Sequence, residues 1–388
     1  MTECGGIDRH LAAWRYHSRS GGGHIRVNSA KLQVEYGQAS TGIGQHPPLT
    51  NCGLGRVTRY DAAPFHPPVP ERLMPSLSRL LKKALRVPND LQLYQALQSG
   101  KIDRSIRITC RPRSDGGGAL VHSRLSAMCF AHAAGIEYVH TPFSVVTHAE
   151  GDPDEWTRRW EDFFNLGLGE TPAGDEAATD IKTLLNRPRL SRQPGLLVSA
   201  LHFHGYCSRF PDAYRAVIPE FRAKYFASDK SAIALNRIEQ GITVAFHIRR
   251  GDVSLSDPVT ASRFTDDERL LHLATRIKSL SQELGVPVRI NIYSEGDARD
   301  FARYTDLGCE LHIGDDVFTT FHNLVESDVL VMAKSAFSFV AALLSDGVKL
   351  YEPFWNAPMS DWLTVDAQGA FDEGRFRTIL AERAAGEA

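Results

Sequence analysis

From residue 242 to residue 351 the chain repeats one pattern: a short apolar run, a polar turn, an amphipathic stretch, then the next apolar run. ITVAFHI, VRINIYS, CELHI, DVLVMA and VKLY read as strands, being short, apolar and mostly rich in β-branched residues. Between them lie TDDERLLHLATRIKSLSQELG, a segment from about Asp297, FTTFHNLVES and AFSFVAALLS, which read as helices. In the first of these Thr265 and Glu268 form a capping box, and Leu270, Leu273, Ala274, Ile277, Leu280 and Leu284 keep helical spacing until Gly285 and Pro287 stop it. Strands that are apolar along their whole length need cover on both faces, and alternating helices supply it. The pattern therefore predicts an α/β fold built on a parallel sheet.

An earlier, shorter version of the same pattern is SIRITC (Ser105–Cys110), RPRSDGGG, ALVHSRLSAMCFAHAAG and IEYVHTPF: strand, glycine loop, helix, strand. It reads as half of a nucleotide-binding type of domain. Gly116, Gly117 and Gly118 would allow close backbone approach to a ligand, or simply a flexible turn. No GxGxxG or GxxxxGK[ST] is present, which excludes the usual dinucleotide and P-loop readings. Residues 145–240 carry more charge, with helices expected at WTRRWEDFFNLG and FPDAYRAVIPEFRAKYF and an exposed loop at ETPAGDEAATD, and should contain the link between domains. Residues 1–73, rich in Gly, Pro, Ser and His and ending in PFHPPVPER, are expected to hold little packed structure. Met74, opening a helical segment that leads into the first convincing strand, is a plausible alternative translation start. The expected organisation is an N-terminal extension (1–73) and two α/β domains, 74–235 and 236–388, with separate cores and facing each other across a cleft.

Lys and Arg number 44 against 46 Asp and Glu, a formal net charge of -2, so no strong field favours nucleic acid or an anionic membrane. Basic residues must act locally. Cys4, Cys52, Cys110, Cys129, Cys207 and Cys309 include no CxxC pair, which argues against a zinc site or a disulfide framework and fits a reducing compartment. The N-terminus lacks the apolar core of a signal peptide, and no run approaches the ~20 apolar residues of a membrane span. The expected location is cytoplasmic, with peripheral membrane association left open.

In parallel α/β sheets ligands sit beyond the carboxyl ends of strands, and HIRRGD, YSEGD and AKSAFS all fall there. Arginine suits phosphate because its planar fork donates two parallel hydrogen bonds and it keeps its charge at any working pH. Ser335 and Ser338 present hydroxyls where a helix starts, and free amides at a helix start favour an anion. Together these suit a diphosphate. The plainer readings are a solvated basic turn for VAFHIRRGD, a solvated Lys334, and core packing for His202, His204 and the aromatic residues of WTRRWEDFF and YEPFWNAP, with Trp355, which follows the last strand, a candidate for the cleft wall. No DxD pair lies beside a strand of the second domain, so the sequence requires no metal.

HIRRGD resembles the HxRRxD motif of the fucosyltransferase superfamily that includes α-1,2-, α-1,6- and protein O-fucosyltransferases. SDVLVMAKSAFSFVAALLS is similar to a later family segment in which an acidic residue precedes an apolar strand and a serine-bearing turn. LSAMCFAHAAGIEYVHTPF is similar to a first-domain segment of bacterial members. The resemblance spans roughly residues 106–360 and implies a GT-B-like fold of two Rossmann-like domains. It further implies an inverting, metal-independent transferase that moves fucose from GDP-fucose to a hydroxyl of a glycan or glycoconjugate, with no cofactor besides the nucleotide-sugar donor. By that resemblance Arg249 binds the donor diphosphate, Arg250 assists or fixes the loop, Asp252 holds the arginines, and His247 lines the nucleotide pocket. Ser294, Lys334, Ser335, Phe337 and Ser338 join the donor site, with Asp316 as guanine-reading acid. Gly116, Gly117, Gly118 and His122 fall on the acceptor side, where GGGALVHS departs from the asparagine-bearing loop of many relatives. Asp252 and Glu295 both stand as carboxylates that could serve as general base. Competing readings are a transferase using another nucleotide sugar and a catalytically silent nucleotide- or glycan-binding scaffold.

Overall fold

The computed structural model describes residues 87–258 and 260–384. The extension expected over 1–73, the start proposed at Met74, the beginning of the helical segment after it, Cys4 and Cys52 lie outside the described residues.

The first half runs α1 (Asn89–Gln98), β1 (Arg107–Cys110), β2 (Ser114–Asp115), α2 (Gly117–Ala134), β3 (Glu137–His140), β4 (Val145–Val146), α3 (Pro153–Phe164), β5 (Thr171–Pro172), β6 (Thr179–Asp180), α4 (Ile181–Asn186), β7 (Leu197–Ala200), α5 (His204–Arg209) and α6 (Ile218–Ala227). The second runs β8 (Ile242–His247), α7 (Asp267–Glu283), β9 (Val288–Ser294), α8 (Ala302–Asp306), β10 (Glu310–Ile313), α9 (Val317–Glu326), β11 (Val329–Val331), α10 (Ala336–Leu344), β12 (Val348–Tyr351), β13 (Leu363–Thr364) and α11 (Glu373–Ala384). Two large sheets result, in the orders β5-β3-β1-β7-β6 and β10-β9-β8-β11-β12-β13, and β2 pairs with β4 in a separate two-stranded sheet. Every pairing within them is parallel. The α/β expectation of two Rossmann-like halves describes this architecture.

Two local expectations change. Strand β7 lies in a stretch read as helices and loop, because a four-residue apolar run carries too little pattern to separate strand from buried helix. The cap of α7 is Asp266 rather than Thr265: its carboxylate accepts from the amides of Glu268 and Arg269, while the Thr265 hydroxyl bonds Glu352. A carboxylate at the N-terminus also meets the helix dipole favourably, which a hydroxyl does not.

One of the two apolar cores spans both halves. A single apolar cluster contains Leu125 and Phe130 of α2, Trp160 and Phe164 of α3, Phe321 and Leu324 of α9, and Phe339 and Leu343 of α10. Fifteen of the eighteen residues of α2 are buried, so it has no solvent face: the first sheet covers one side and α10 another. A second cluster, with Val244, Ile277, Ile292 and Phe376, fills the far face of the second sheet. Among the described residues no helix is long and apolar enough to cross a membrane.

Candidate active site

In the second sheet β8 is followed in sequence by β9 on one side, whereas β11 lies against its other side. The strand order therefore reverses between β8 and β11, and in doubly wound sheets the crevice at that reversal holds the ligand. The segments leaving those two strand ends are Ile248–Asp252 and Met332–Ser335, the HIRRGD and AKSAFS of the sequence. The first sheet reverses likewise between β1 and β7, whose ends lead into Arg111 and His202.

Arg249 stands at the second reversal with its fork already engaged. Its Nε donates to Asp252 Oδ1 at 3.0 Å and its Nη2 to Asp252 Oδ2 at 2.6 Å. No bond from Nη1 occurs among the described residues, and a quarter of the side chain is exposed. The Arg249 guanidinium holds the Asp252 carboxyl below the usual carboxylate range. Arg250 turns the other way. It donates to Asp267 Oδ1 at 2.7 Å and to the Thr265 carbonyl at 3.2 Å, and its guanidinium lies 4.1 Å from the centre of the Phe264 ring. Asp267 also accepts from the Tyr304 hydroxyl. The second arginine is thus tied to the loop before α7, and Asp252 pairs with the first only.

His247 ends β8 with its ring 5.3 Å from Phe337, and its Nδ1 is buried without a hydrogen-bond partner. Burial, then the neighbouring Arg249 charge, pushes its pKa down to about 3, so the imidazole is neutral and able to accept a hydrogen bond. The Ser294 hydroxyl bonds the Ile248 carbonyl at 2.7 Å and so pins the end of β9 to the loop that carries Arg249.

Several residues expected to touch a donor are engaged elsewhere. Ser338 is fully buried and its Oγ accepts from the Ala333 amide, while Ser335 caps α10 by accepting from the Ser338 amide. Both hydroxyls shape the turn. Lys334 pairs with Glu352 at 2.8 Å, a carboxylate shared with Arg269. Asp316 caps α9 through Oδ1 and pairs with Arg159 through Oδ2.

The residues expected on the acceptor side are also engaged by the protein itself. A side chain at Gly117 would run into the Trp160 ring, and one at Gly118 would lie 2.6 Å from Phe337 Cα. Gly117 and Gly118 let α2 approach α3 and α10 closely. Gly116, just ahead of α2, has nothing within 4 Å of where a Cβ would stand. His122 is buried, bonded to the Tyr214 hydroxyl at 3.1 Å and stacked on His204. Burial pushes its pKa down to about 3. His202 stacks on His204 in turn, yet among the described residues no group of three or more His, Cys, Asp or Glu is placed to hold a metal ion.

Two side chains complete the site. Glu295, a strand-end carboxylate already in YSEGD, lies against Gly251, whose φ of +67° and missing side chain leave room for it. His148, in the loop between β4 and α3, carries a φ of +58° and approaches Asp252 and Glu295 closely enough to act on both electrostatically. Nothing in the local sequence marks His148, because its role depends on the two halves meeting.

No protein-family model matches the chain, and no curated protein matches its sequence. Solved structures do align. NodZ, an α-1,6-fucosyltransferase co-crystallised with GDP, is 13% identical over 69% of this chain and 97% of its own, with a TM-score of 0.37. The E. coli heptosyltransferase WaaC with ADP-2-deoxy-2-fluoro heptose is 11% identical over 73% of this chain and 98% of its own, with a TM-score of 0.35. A mutant of Arabidopsis thaliana FUT1 in complex with GDP is 12% identical over 71% of this chain and 77% of its own, with a TM-score of 0.33. At these identities and TM-scores the chemistry has to be read from this chain's own side chains.

Proposed function

We propose that the protein is a glycosyltransferase that takes its sugar from a nucleoside-diphosphate donor, GDP-fucose in the finer reading, and passes it with inversion to a hydroxyl of a glycan or glycoconjugate. The observation that carries this is the position of Arg249. An arginine fork, oriented by Asp252, stands at the carboxyl end of β8 where the strand order reverses. Breaking a sugar–phosphate bond builds negative charge on the departing diphosphate. A donor oriented before the reaction stabilises that charge without reorganising, and its Nη1 is the group to offer. Neutral His247 offers its Nδ1 to a donor hydroxyl, Ser294 fixes the Arg249 loop, and Arg250 with Asp267 braces that loop from behind. The leaving charge falls on the arginine, and the second half carries no DxD pair that would call for a metal.

A thermal-shift panel of GDP, UDP, ADP and CMP tests the donor, since a ligand that binds only the folded state raises its melting temperature. GDP is the expected stabiliser. GDP release from GDP-fucose, with and without candidate glycan acceptors and with EDTA present, then tests transfer; the expected rate is unchanged by EDTA. Stabilisation by another nucleotide replaces GDP in the reading, and stabilisation by none favours a scaffold.

A further inference from the structure

The transfer just proposed needs a group to accept the proton of the incoming hydroxyl, and the carboxylates at the carboxyl edge of the second sheet can be compared one by one. Asp252 has both oxygens on Arg249. Asp267 serves Arg250 and Tyr304, and Glu352 serves Arg269, Lys334 and Thr265. Asp316 caps α9 and pairs with Arg159, and Asp297 is held by Arg299. The Glu295 carboxylate alone among these makes no hydrogen bond or ion pair within the described residues.

We infer that Glu295 is the general base of the reaction, its carboxylate seated on the bare backbone of Gly251 within electrostatic reach of the Arg249–Asp252 pair and of His148 of the first half. The inference rests on the proposed glycosyl transfer. Gly251 explains the seat: its positive φ favours glycine, and any side chain there would collide with Glu295 Oε2. The charged and titratable groups that act on Glu295 are Asp252, Arg249 and His148. Partial burial, then the Asp252 charge, raises its pKa above the ordinary glutamate value, against the opposing pull of Arg249 and His148. A carboxylate moved in that direction is a stronger base. The location also suits the order of events. With the diphosphate on Arg249 as proposed, Glu295 stands within electrostatic reach of that arginine and of His148 from the first half.

In the step itself the acceptor oxygen forms a bond to the anomeric carbon while its proton passes to Glu295. The bond from that carbon to the diphosphate oxygen breaks, and its electron pair leaves with the nucleoside diphosphate, whose charge Arg249 meets. Water can take the place of the acceptor, so hydrolysis of the donor reports on the same base.

The test uses the full chain and GDP-fucose, or whichever nucleotide sugar the wild type turns over. Glu295→Gln is expected to slow release of the nucleoside diphosphate by about 100- to 1,000-fold, the range general-base catalysis supplies. Its nucleotide affinity and melting temperature should stay near the wild-type values. The acid limb of the wild-type pH–rate profile, set by protonation of Glu295, should vanish in the variant. Sodium azide, a nucleophile with no proton to lose, should restore release in Glu295→Ala and yield the glycosyl azide. A Glu295→Gln variant within about threefold of the wild-type rate overturns the base assignment and leaves the transferase reading standing. Loss of nucleotide affinity together with rate makes the residue structural and also overturns it. A wild type that turns over no nucleotide sugar overturns both readings.

Discussion

The two switch points of this molecule answer to different residues. At the second, between β8 and β11, the polar residues visible in sequence stand at the strand ends: a paired arginine, a neutral histidine and an uncommitted glutamate. At the first, between β1 and β7, the feature that stood out was a glycine run, and two of its three members are buried in contacts between helices. The difference lies in what each residue type can mean. A glycine permits close approach by anything, including the protein itself. An arginine on a strand end brings a charge that burial cannot absorb without a partner, so its meaning narrows once its partner is known.

The largest expected effect separates the two arginines. Arg249→Ala should cut transfer by on the order of a hundred- to a thousand-fold, the usual loss for one donor to a developing charge, with little change in melting temperature. Arg249→Lys should fail nearly as badly, since a point charge cannot keep both the Asp252 pairing and a phosphate contact. Arg250→Ala should do the reverse. Removing it strands Asp267 beside Tyr304 and exposes the Phe264 face, so stability should drop by roughly 1–3 kcal/mol while nucleotide affinity changes less. Steady-state kinetics and thermal melting on the same two variants decide it; equal loss of rate at constant stability would put both arginines on the diphosphate.

The first half has its own pair. Gly118→Ala drives a methyl group into the backbone of Phe337, where neither helix has a free side to move toward, and overpacking of this kind costs roughly 1–3 kcal/mol. Chemical denaturation should show the loss. If the variant were instead normally stable but unable to transfer, the glycine would belong to a ligand site after all.

Acid should weaken both halves, by a smaller amount at mildly acidic pH. His122 in the first half and His247 in the second are held neutral, each with its pKa pushed down to about 3, and His322 beside Tyr225 is pushed down to about 4. In the unfolded chain these rings take up a proton near pH 6.5. The unfolded state therefore binds more protons below that pH, and the stability these residues contribute is full above about 6.5 and is lost as pH falls toward their folded values. Melting temperature should decline from pH 7 to pH 5, and His122→Gln should flatten the decline. An unchanged slope in that variant would place the acid sensitivity elsewhere.

How much of this was legible in the chain depended on the range of the signal. The α7 helix, β8 to β12 and the HIRRGD and AKSAFS edges rest on local periodicity and turn chemistry, and they appear where the sequence put them. Strand β7 did not, because four apolar residues carry no usable period. The parting of Arg249 from Arg250 depends on Asp252 for one and on Asp267 for the other, and only the second partner is distant in sequence. Ser335 and Ser338 were legible as a turn but not as a self-bonded one. The approach of His148 to Glu295 and the fit of Gly118 on Phe337 are contacts between halves, and a single sequence carries no local trace of them.

The smallest expected effect is the sharpest check on the contrast between glycines and arginines. Gly116 precedes α2 with φ −63° and ψ 145°, a conformation open to any residue, and no atom lies within 4 Å of the place its Cβ would occupy. Gly116→Ala should therefore cost no more than about 1 kcal/mol, the small preference for glycine over alanine ahead of a helix, and leave nucleotide binding unchanged. Its distance from Trp160 and Phe337 frees it from the packing that occupies its two neighbours. Only a ligand could then make this position intolerant. If Gly116→Ala folds, binds nucleotide normally and still loses transfer to a glycan acceptor while hydrolysing the donor, the acceptor's path runs over Gly116, and the glycine run would hold one ligand contact beside two packing ones.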